Sequence, residues 1–280
     1  MSNKELLNNI KKLRELTGVG FKDCKLAIDA NGGDIEKSIE FLRKKGIAKA
    51  SKKMSRTASE GLALINEKGG EVSLIEINSE TDFVAKNKDF ISFCKEISEI
   101  CFQEKADIEK IQSAKMKNNN SVKENLIDLI AKIGEKITLR RAKFFNKNSG
   151  ENFSYVHSAI ENNIGKIISV VKLEKSEGNK DIGGKLAMHI AASNPLALDK
   201  QSLKKEVIDK ELEIIKEELL NSGKKSDMID KISQGKLNKF ISDNTLINQM
   251  WIMDPKLKVS DILKGCKVLD FVRYKVGEGV

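Results

Sequence analysis

The chain has 280 residues, 40% hydrophobic and only 5% aromatic, with 32% charged residues and a formal net charge of +9. That length suits about two domains with a sizeable core; no apolar run is long enough to span a membrane and the first residues are no signal peptide, so a cytoplasmic protein without a membrane partner is expected. The charge permits acidic partners, but lysines and acids interleave along most of the chain as on a solvated surface, and so few aromatics leave little to stack on single-stranded nucleic acid.

Residues 1–45 read as three short helices. Ser2 with Glu5 is a capping-box pattern, and Leu6, Ile10 and Leu13 make one apolar stripe. Thr17-Gly18-Val19-Gly20 breaks the helix with residues that tolerate positive φ. Cys24, Ala27 and Ile28 face inward on the second helix, which Gly32-Gly33 ends. Asp34 is a good N-cap for the third, whose stripe is Ile35, Ile39 and Leu42. A module this small and local suits binding rather than catalysis. From Lys44 to Arg56 the chain is basic and lacks a stripe, so 46–60 reads as a linker; RNA contact there is the alternative to a soluble tether.

Residues 61–98 and 156–193 repeat one plan. Ala63–Val72 is a strand, a Gly69-Gly70 turn and a second strand, and Ser158–Ile167 is another such unit. The returning strands, Ser73–Ile77 and Ser169–Leu173, each lead through a polar turn into an apolar helix; the second helix, Lys185–Ser193, stops before Pro195. An α+β fold with an internally duplicated hairpin-plus-helix core follows. The first of the two turns is Ser79-Glu80-Thr81-Asp82-Phe83-Val84-Ala85-Lys86-Asn87, ahead of a helix marked by Phe90, Phe93, Cys94, Ile97 and Cys101. Either Phe83 covers the core and Asp82 starts the helix, or Phe83 is an aromatic wedge for a partner's pocket and Asp82 disturbs a charge beside it. The counterpart turn, Glu177-Gly178-Asn179-Lys180, has no aromatic. A residue needed only to close the core would be needed twice, which tilts the reading towards function.

Residues 90–136 are helical apart from Asn118-Asn119-Asn120, and Ile137–Arg141 is a short strand. Arg140 and Arg141, with Lys143, Phe144 and Phe145, form the best nucleic-acid candidate, unless the arginines pair with nearby acids. Lys180–Leu186 fails as a phosphate loop, because its first glycine is misplaced and Leu186 replaces the Ser or Thr that would hold Mg²⁺. Over 203–243, Ile208, Leu212, Ile215 and Leu219 form one helix and Asn221–Lys224 turns the chain. Met228, Ile229, Ile232, Leu237, Phe240 and Ile241 then return as the second arm of an antiparallel hairpin. His157 and His189 are the only histidines. Cys24, Cys94, Cys101 and Cys266 form no Cys-x-x-Cys pair and read as reduced thiols, three of them among apolar residues of helical pattern. With no paired acids or nucleophile–base pair, neither an enzyme nor a metal or cofactor is expected.

Thr81-Asp82-Phe83-Val84-Ala85-Lys86-Asn87 closely resembles the signature of the elongation factor Ts family, the guanine-nucleotide exchange factors of elongation factor Tu. The likeness continues, in order, at Lys12–Gly20, Asp23-Cys24-Lys25, Gly33–Glu36, Ala131–Glu135, Arg140-Arg141, Tyr155-Val156-His157, Gly235–Phe240 and Ile252–Pro255 through Asp270–Gly279. The resemblance implies a ubiquitin-associated-like three-helix domain over 1–45, ahead of the linker 46–60. Core subdomains are then expected over 61–142 and over 143–202 with 244–280, the latter containing a closing strand, and a coiled-coil hairpin over 203–243. It also implies a protein that binds elongation factor Tu with GDP through the GTPase domain and a neighbouring domain, loosens Mg²⁺ and nucleotide, and leaves when GTP enters. DNA is not a partner, and RNA is met only through the elongation factor. By the same resemblance Thr81, Asp82, Phe83 and Val84 dislocate Mg²⁺, while Arg14, Val19, Gly20, Phe21, Ile133, Gly134 and His157 bind the partner. Arg14 reads equally well as a solvated helix charge. The chain stops at Val280 without the helix that can follow the closing motif in longer members, so that helix's contacts are expected to be absent or replaced. The competing function is a basic RNA-binding protein using Arg140, Arg141 and the linker lysines.

Overall fold

The computed structural model describes residues 3–222 and 226–280, so the expected cap at Ser2 and the hairpin tip at Gly223 and Lys224 lie outside the described residues. Three helices open the chain: α1 (Asn3–Thr17), α2 (Phe21–Ala30) and α3 (Ile35–Lys53). Ile10, Leu13, Cys24, Ala27, Ile28 and Leu42 close their shared core, with Leu6, Val19 and Ile35 packed on it. Asp34 caps α3 by accepting the Lys37 amide at 2.9 Å. Ile39 departs from the expected stripe and lies at the surface. Its place is taken by Ser38, fully buried, whose hydroxyl reaches the Ala27 and Asp34 carbonyls at 3.1 and 2.5 Å. A hydroxyl satisfied this way can enter a core, and a count of apolar spacings does not see it. The basic run expected to be a tether is instead helix as far as Lys53. Gly46 and Ala50 are its buried face while Lys44 stays in water, so small residues make the stripe that large apolar ones do not.

The remainder is layered as helices, sheet, sheet, helix. β1 (Glu60–Lys68) and β2 (Glu71–Ser79) form an antiparallel hairpin with Glu60 opposite Ser79. From β2 the chain runs through α4 (Asp82–Ala85), α5 (Lys88–Gln103), α6 (Ile108–Ser113) and α7 (Val122–Ile133) into β3 (Ile137–Phe145), which pairs with β2. The second half has β4 (Glu151–His157), β5 (Ile164–Gly165), β6 (Ile167–Leu173) and α8 (Asn179–Ser193). It continues through the helical hairpin α9 (Lys205–Asn221) and α10 (Ser226–Asn244), the ribbon β7 (Met250–Trp251) and β8 (Asp254–Lys258), α11 (Val259–Leu263) and the closing strand β9 (Val268–Lys275). The sheets run β3-β2-β1-β5 and β4-β6-β9. Each half is thus a hairpin, then helices, then a late strand on the far side of the returning one, which is the duplicated plan. Several boundaries differ from the sequence reading: the helical stretch before β3 is already broken after Gln103 and after Ser113, α8 begins at Asn179 instead of Lys185, and two strands end elsewhere. The first strand of the second hairpin ends at His157, leaving Ser158–Asn163 as its turn with Ser158 and Asn163 left-handed at φ 53° and 63°. β3 runs on past Arg141 to Phe145.

Side chains alternate across a strand, and β1 and β2 are covered on both faces. Leu62, Leu64, Ile75 and Ile77 pack with Phe90, Cys94, Ile97 and Cys101 of α5, whereas Ala63, Ile65, Val72 and Leu74 meet Ile168, Val170 and Tyr274 of the second sheet. A strand buried on two faces loses its period-two signature, which is why Leu74 and Ile75 both look like core residues and both are. On the outer face of the second sheet Val171 and Leu173 pack on Leu186, Ala187 and Ile190 of α8. A Cβ at Gly183 would lie 2.2 Å from the Phe153 ring, so the glycine of the rejected phosphate loop lets helix and strand touch. The arms of α9–α10 have a small core of their own. All four cysteines are free, Cys266 alone being partly exposed. No helix among the described residues is long and apolar enough to cross a membrane.

Candidate functional site

β2 delivers the chain buried as far as Ser79, and the next residues turn outward. Thr81, in extended backbone, precedes α4, a single turn. Successive residues of such a turn point about 100° apart. Val84 and Ala85 are buried in the core beneath, and their inward direction turns Phe83 out. Phe83 is 79% exposed, more than any other large apolar side chain among the described residues. The core-covering reading of Phe83 therefore fails, and Val84 occupies the covering position beside it. Lys86 and Asn87 close the turn by donating to the Phe83 and Val84 carbonyls at 3.2 and 2.9 Å. Asn87 then caps α5 by accepting the Asp89 and Phe90 amides at 2.9 and 3.3 Å. Asp82 stands beside the ring in solvent, paired with Lys86 at 2.8 Å. That hydrogen bond above all holds its carboxyl below the usual carboxylate range.

The turn is clamped to the end of α7. Gly134 takes the left-handed conformation at φ 91° that ends α7, a geometry glycine adopts without strain, and Ile133 before it is half-buried against the core. Glu135 accepts the Thr81 amide at 3.0 Å and the Thr81 hydroxyl at 2.8 Å. In return Glu80 accepts the Lys136 amide at 2.6 Å and pairs with Arg56 at 3.2 Å. Burial alone would raise the Glu80 carboxyl, but the Lys136 amide and Arg56 outweigh it and hold it low.

The N-terminal bundle sits on the same helix. A Cβ at Gly46 of α3 would meet the Ala131 methyl at 3.2 Å, and one at Gly18 would meet the Lys132 side chain at 2.7 Å. Lys132 in turn pairs with Asp89 at 2.9 Å. The loop carrying half-buried Val19, exposed Gly20 and 45% exposed Phe21 thus rests beside the end of α7. Arg14 is exposed one turn earlier, its carbonyl accepting the Gly18 amide at 2.7 Å. His157 ends β4 opposite Ile167, and neighbouring Lys166 pairs at 2.7 Å with Glu60, which faces Ser79 across β1–β2. His157 is exposed, with Nδ1 at 3.2 Å from the Tyr155 hydroxyl. The fold therefore gathers the wedge turn, the α7 terminus, the bundle loop and the end of β4 along one edge.

Arg140 and Arg141 are not part of that edge. Both turn onto buried Glu76, at 2.9 and 2.6 Å, so the arginines of the nucleic-acid candidate are partly buried and paired with an acid. Glu80, Glu135, Lys136 and Arg56 are the residues that sequence reasoning gave no role. Their signal is only that acids at two turn positions lack local partners, and it becomes readable once the turns face each other. Among the described residues no group of His, Cys, Asp or Glu could hold a metal ion.

A two-sheet scaffold that leaves Phe83 79% exposed on a clamped turn, with a polar rim on the same edge, has the features of proteins that work through a docking surface. A family model described as elongation factor TS matches residues 80–278, starting at this turn. The chain is 41% identical over 283 residues to elongation factor Ts of Nitrobacter hamburgensis, covering 97% of this chain and 92% of that protein. It is 38% identical to that of Rickettsia felis and 36% to that of Gluconobacter oxydans, each over 97% of this chain and 91% of the relative. The chain belongs to the elongation factor Ts family, the nucleotide exchange factors of translation elongation.

Proposed function

We propose that this protein binds elongation factor Tu in its GDP form and speeds the replacement of GDP by GTP by inserting Phe83 into an apolar pocket of the GTPase domain. The exposure of Phe83 on a turn whose every other anchor is buried or hydrogen-bonded carries this reading. Thr81 fixes the turn and Val84 anchors it from below. Asp82, once released by Lys86, would bring its carboxylate to the neighbourhood of the partner's Mg²⁺ and weaken the ion's hold on the nucleotide. Val19, Gly20 and Phe21, Ile133 and Gly134 would extend the contact along the GTPase domain, with Arg14 at its margin, and His157 would meet the neighbouring domain. No covalent bond is made or broken by this protein, and it needs no cofactor of its own. The RNA-binding alternative loses its strongest residues, because Arg140 and Arg141 are engaged by Glu76.

Linkage supplies the test. If this protein weakens GDP on elongation factor Tu, GDP weakens this protein by the same factor. Titrating each ligand at saturating amounts of the other should give equal factors through a ternary complex. No mutual effect, each ligand binding as tightly with the other present as without it, would remove the exchange mechanism.

A further inference from the structure

Resting on the wedge reading, we propose that Glu135 is the positioning residue of the wedge: it makes no contact with the partner and sets where Phe83 stands before docking. Phe83 rides on a helix of four residues, too short to hold its own direction. Thr81 precedes that helix without capping it through its side chain. Both of its donors go instead to one carboxylate on the other turn, the amide to Glu135 Oε2 and the hydroxyl to Glu135 Oε1, at 3.0 and 2.8 Å. The reciprocal bond from the Lys136 amide to Glu80 at 2.6 Å makes a crossed pair, in which each turn gives a main-chain amide to an acid of the other. Lys136 carries the tie further, its ammonium donating to the Met54 and Arg56 carbonyls at 2.7 Å each, where the chain leaves the bundle. Bonds to an ionised acceptor are the stronger kind, and a ring already in place loses less freedom on binding. Glu135 is half-buried and both of its oxygens are turned to Thr81.

The full chain is tested as Glu135→Ala and as Glu135→Gln, which keeps one acceptor. In the free protein, amide hydrogen exchange at Thr81 should quicken in both variants while β1 and β2 keep their protection. Release of fluorescent GDP from elongation factor Tu should slow about tenfold with Glu135→Ala and less with Glu135→Gln. Placed on Phe83→Ala, Glu135→Ala should add less than about a twofold further loss, because a positioner has nothing left to position. Unchanged exchange at the Thr81 amide, or an equal loss in both backgrounds, overturns the proposal. Should Glu135→Ala not fold, the glutamine variant decides by the same measurements. If Phe83→Ala alone leaves GDP release unchanged, the wedge reading falls, and amide exchange at Thr81 still reports on the clamp.

Discussion

A phenylalanine left 79% exposed forgoes about 1.5–3 kcal/mol of burial in the free protein, which the proposed docking would recover. The next two residues show the other choice, since Val84 and Ala85 are in the core. Truncating an interface anchor of this kind costs about 2 kcal/mol or more, so Phe83→Ala should slow catalysed GDP release by at least about tenfold. The melting temperature should stay at the wild-type value, because no cavity opens; stopped-flow release of fluorescent GDP beside a thermal melt reads both. A low melt with normal exchange of the folded fraction would return Phe83 to the core. Asp82→Asn should lose part of the effect, and less of it at low Mg²⁺. Its exposed pair with Lys86 contributes little to stability, so that variant should melt normally too.

At the scale of elements, the ribbon β7–β8 and the helical hairpin hang on a small polar knot. His189 of α8 is buried, stacked on Trp251 at 5.2 Å. Its Nε2 lies 2.9 Å from Gln249 Oε1, and its Nδ1 accepts the Ile252 amide at 3.4 Å. Gln249 then donates to the carbonyls of Ser193 and Asp243 at 3.1 and 2.8 Å. Burial pushes the His189 pKa below its ordinary 6.5, against the smaller upward pull of Gln249. The unfolded chain therefore binds the proton first, and stability present above pH 6.5 is lost as the pH falls from there through the lowered folded value. Urea melts across that window should show the slope in the wild type and lack it in His189→Gln. The arms of α9–α10 bury Ile215, Leu219, Ile229 and Leu237 in a cluster separate from the sheets. Replacing Asp209–Lys239 by a short Gly/Ser tether keeps the Asp243 carbonyl for Gln249. The shortened protein should fold and retain reduced exchange activity; loss of the folded core would show that the arms are structural.

For the whole molecule, Glu76 is the joint. It is fully buried on β2, and accepts from Arg140, Arg141, Asn78 and the Gly277 amide at 2.9, 2.6, 3.0 and 2.9 Å. Strand β3 and the segment after β9 thereby meet on one carboxylate. Burial alone would raise that carboxyl, but the Gly277 amide, the two arginines and Asn78 together hold it below its ordinary 4.5. Its folded state binds the proton less readily than the unfolded chain, so this contribution is complete above about pH 4.5 and fades as acid titrates the folded group. Glu76→Gln leaves two guanidinium groups short of their counter-ion and should destabilise by about 3 kcal/mol. Denaturant titration measures the loss; a stability unchanged from the wild type would show that the cluster is not the joint.

Much of this was legible in the residues. Helix starts at Asp34 and Asn87, the Gly69-Gly70 hairpin and the missing aromatic in the second turn are local signals, fixed within a few residues by caps and φ preferences. The wording of Thr81–Asn87 carried the family. The basic run through Lys53 and the buried Ser38 were not legible, since their faces exist only against α7 and α2. Nor could the chain say that Arg140 and Arg141 turn inward, because the acid that draws them lies 64 and 65 residues away. The residues alone carried most of the helices and strands, the repeated hairpin-plus-helix plan and the expectation that Phe83 faces outward. Which charges are neutralised, and which turn holds Phe83 in place, follow from the packed fold, because hydrogen bonds and ion pairs act over a few ångströms in space whatever the separation along the chain.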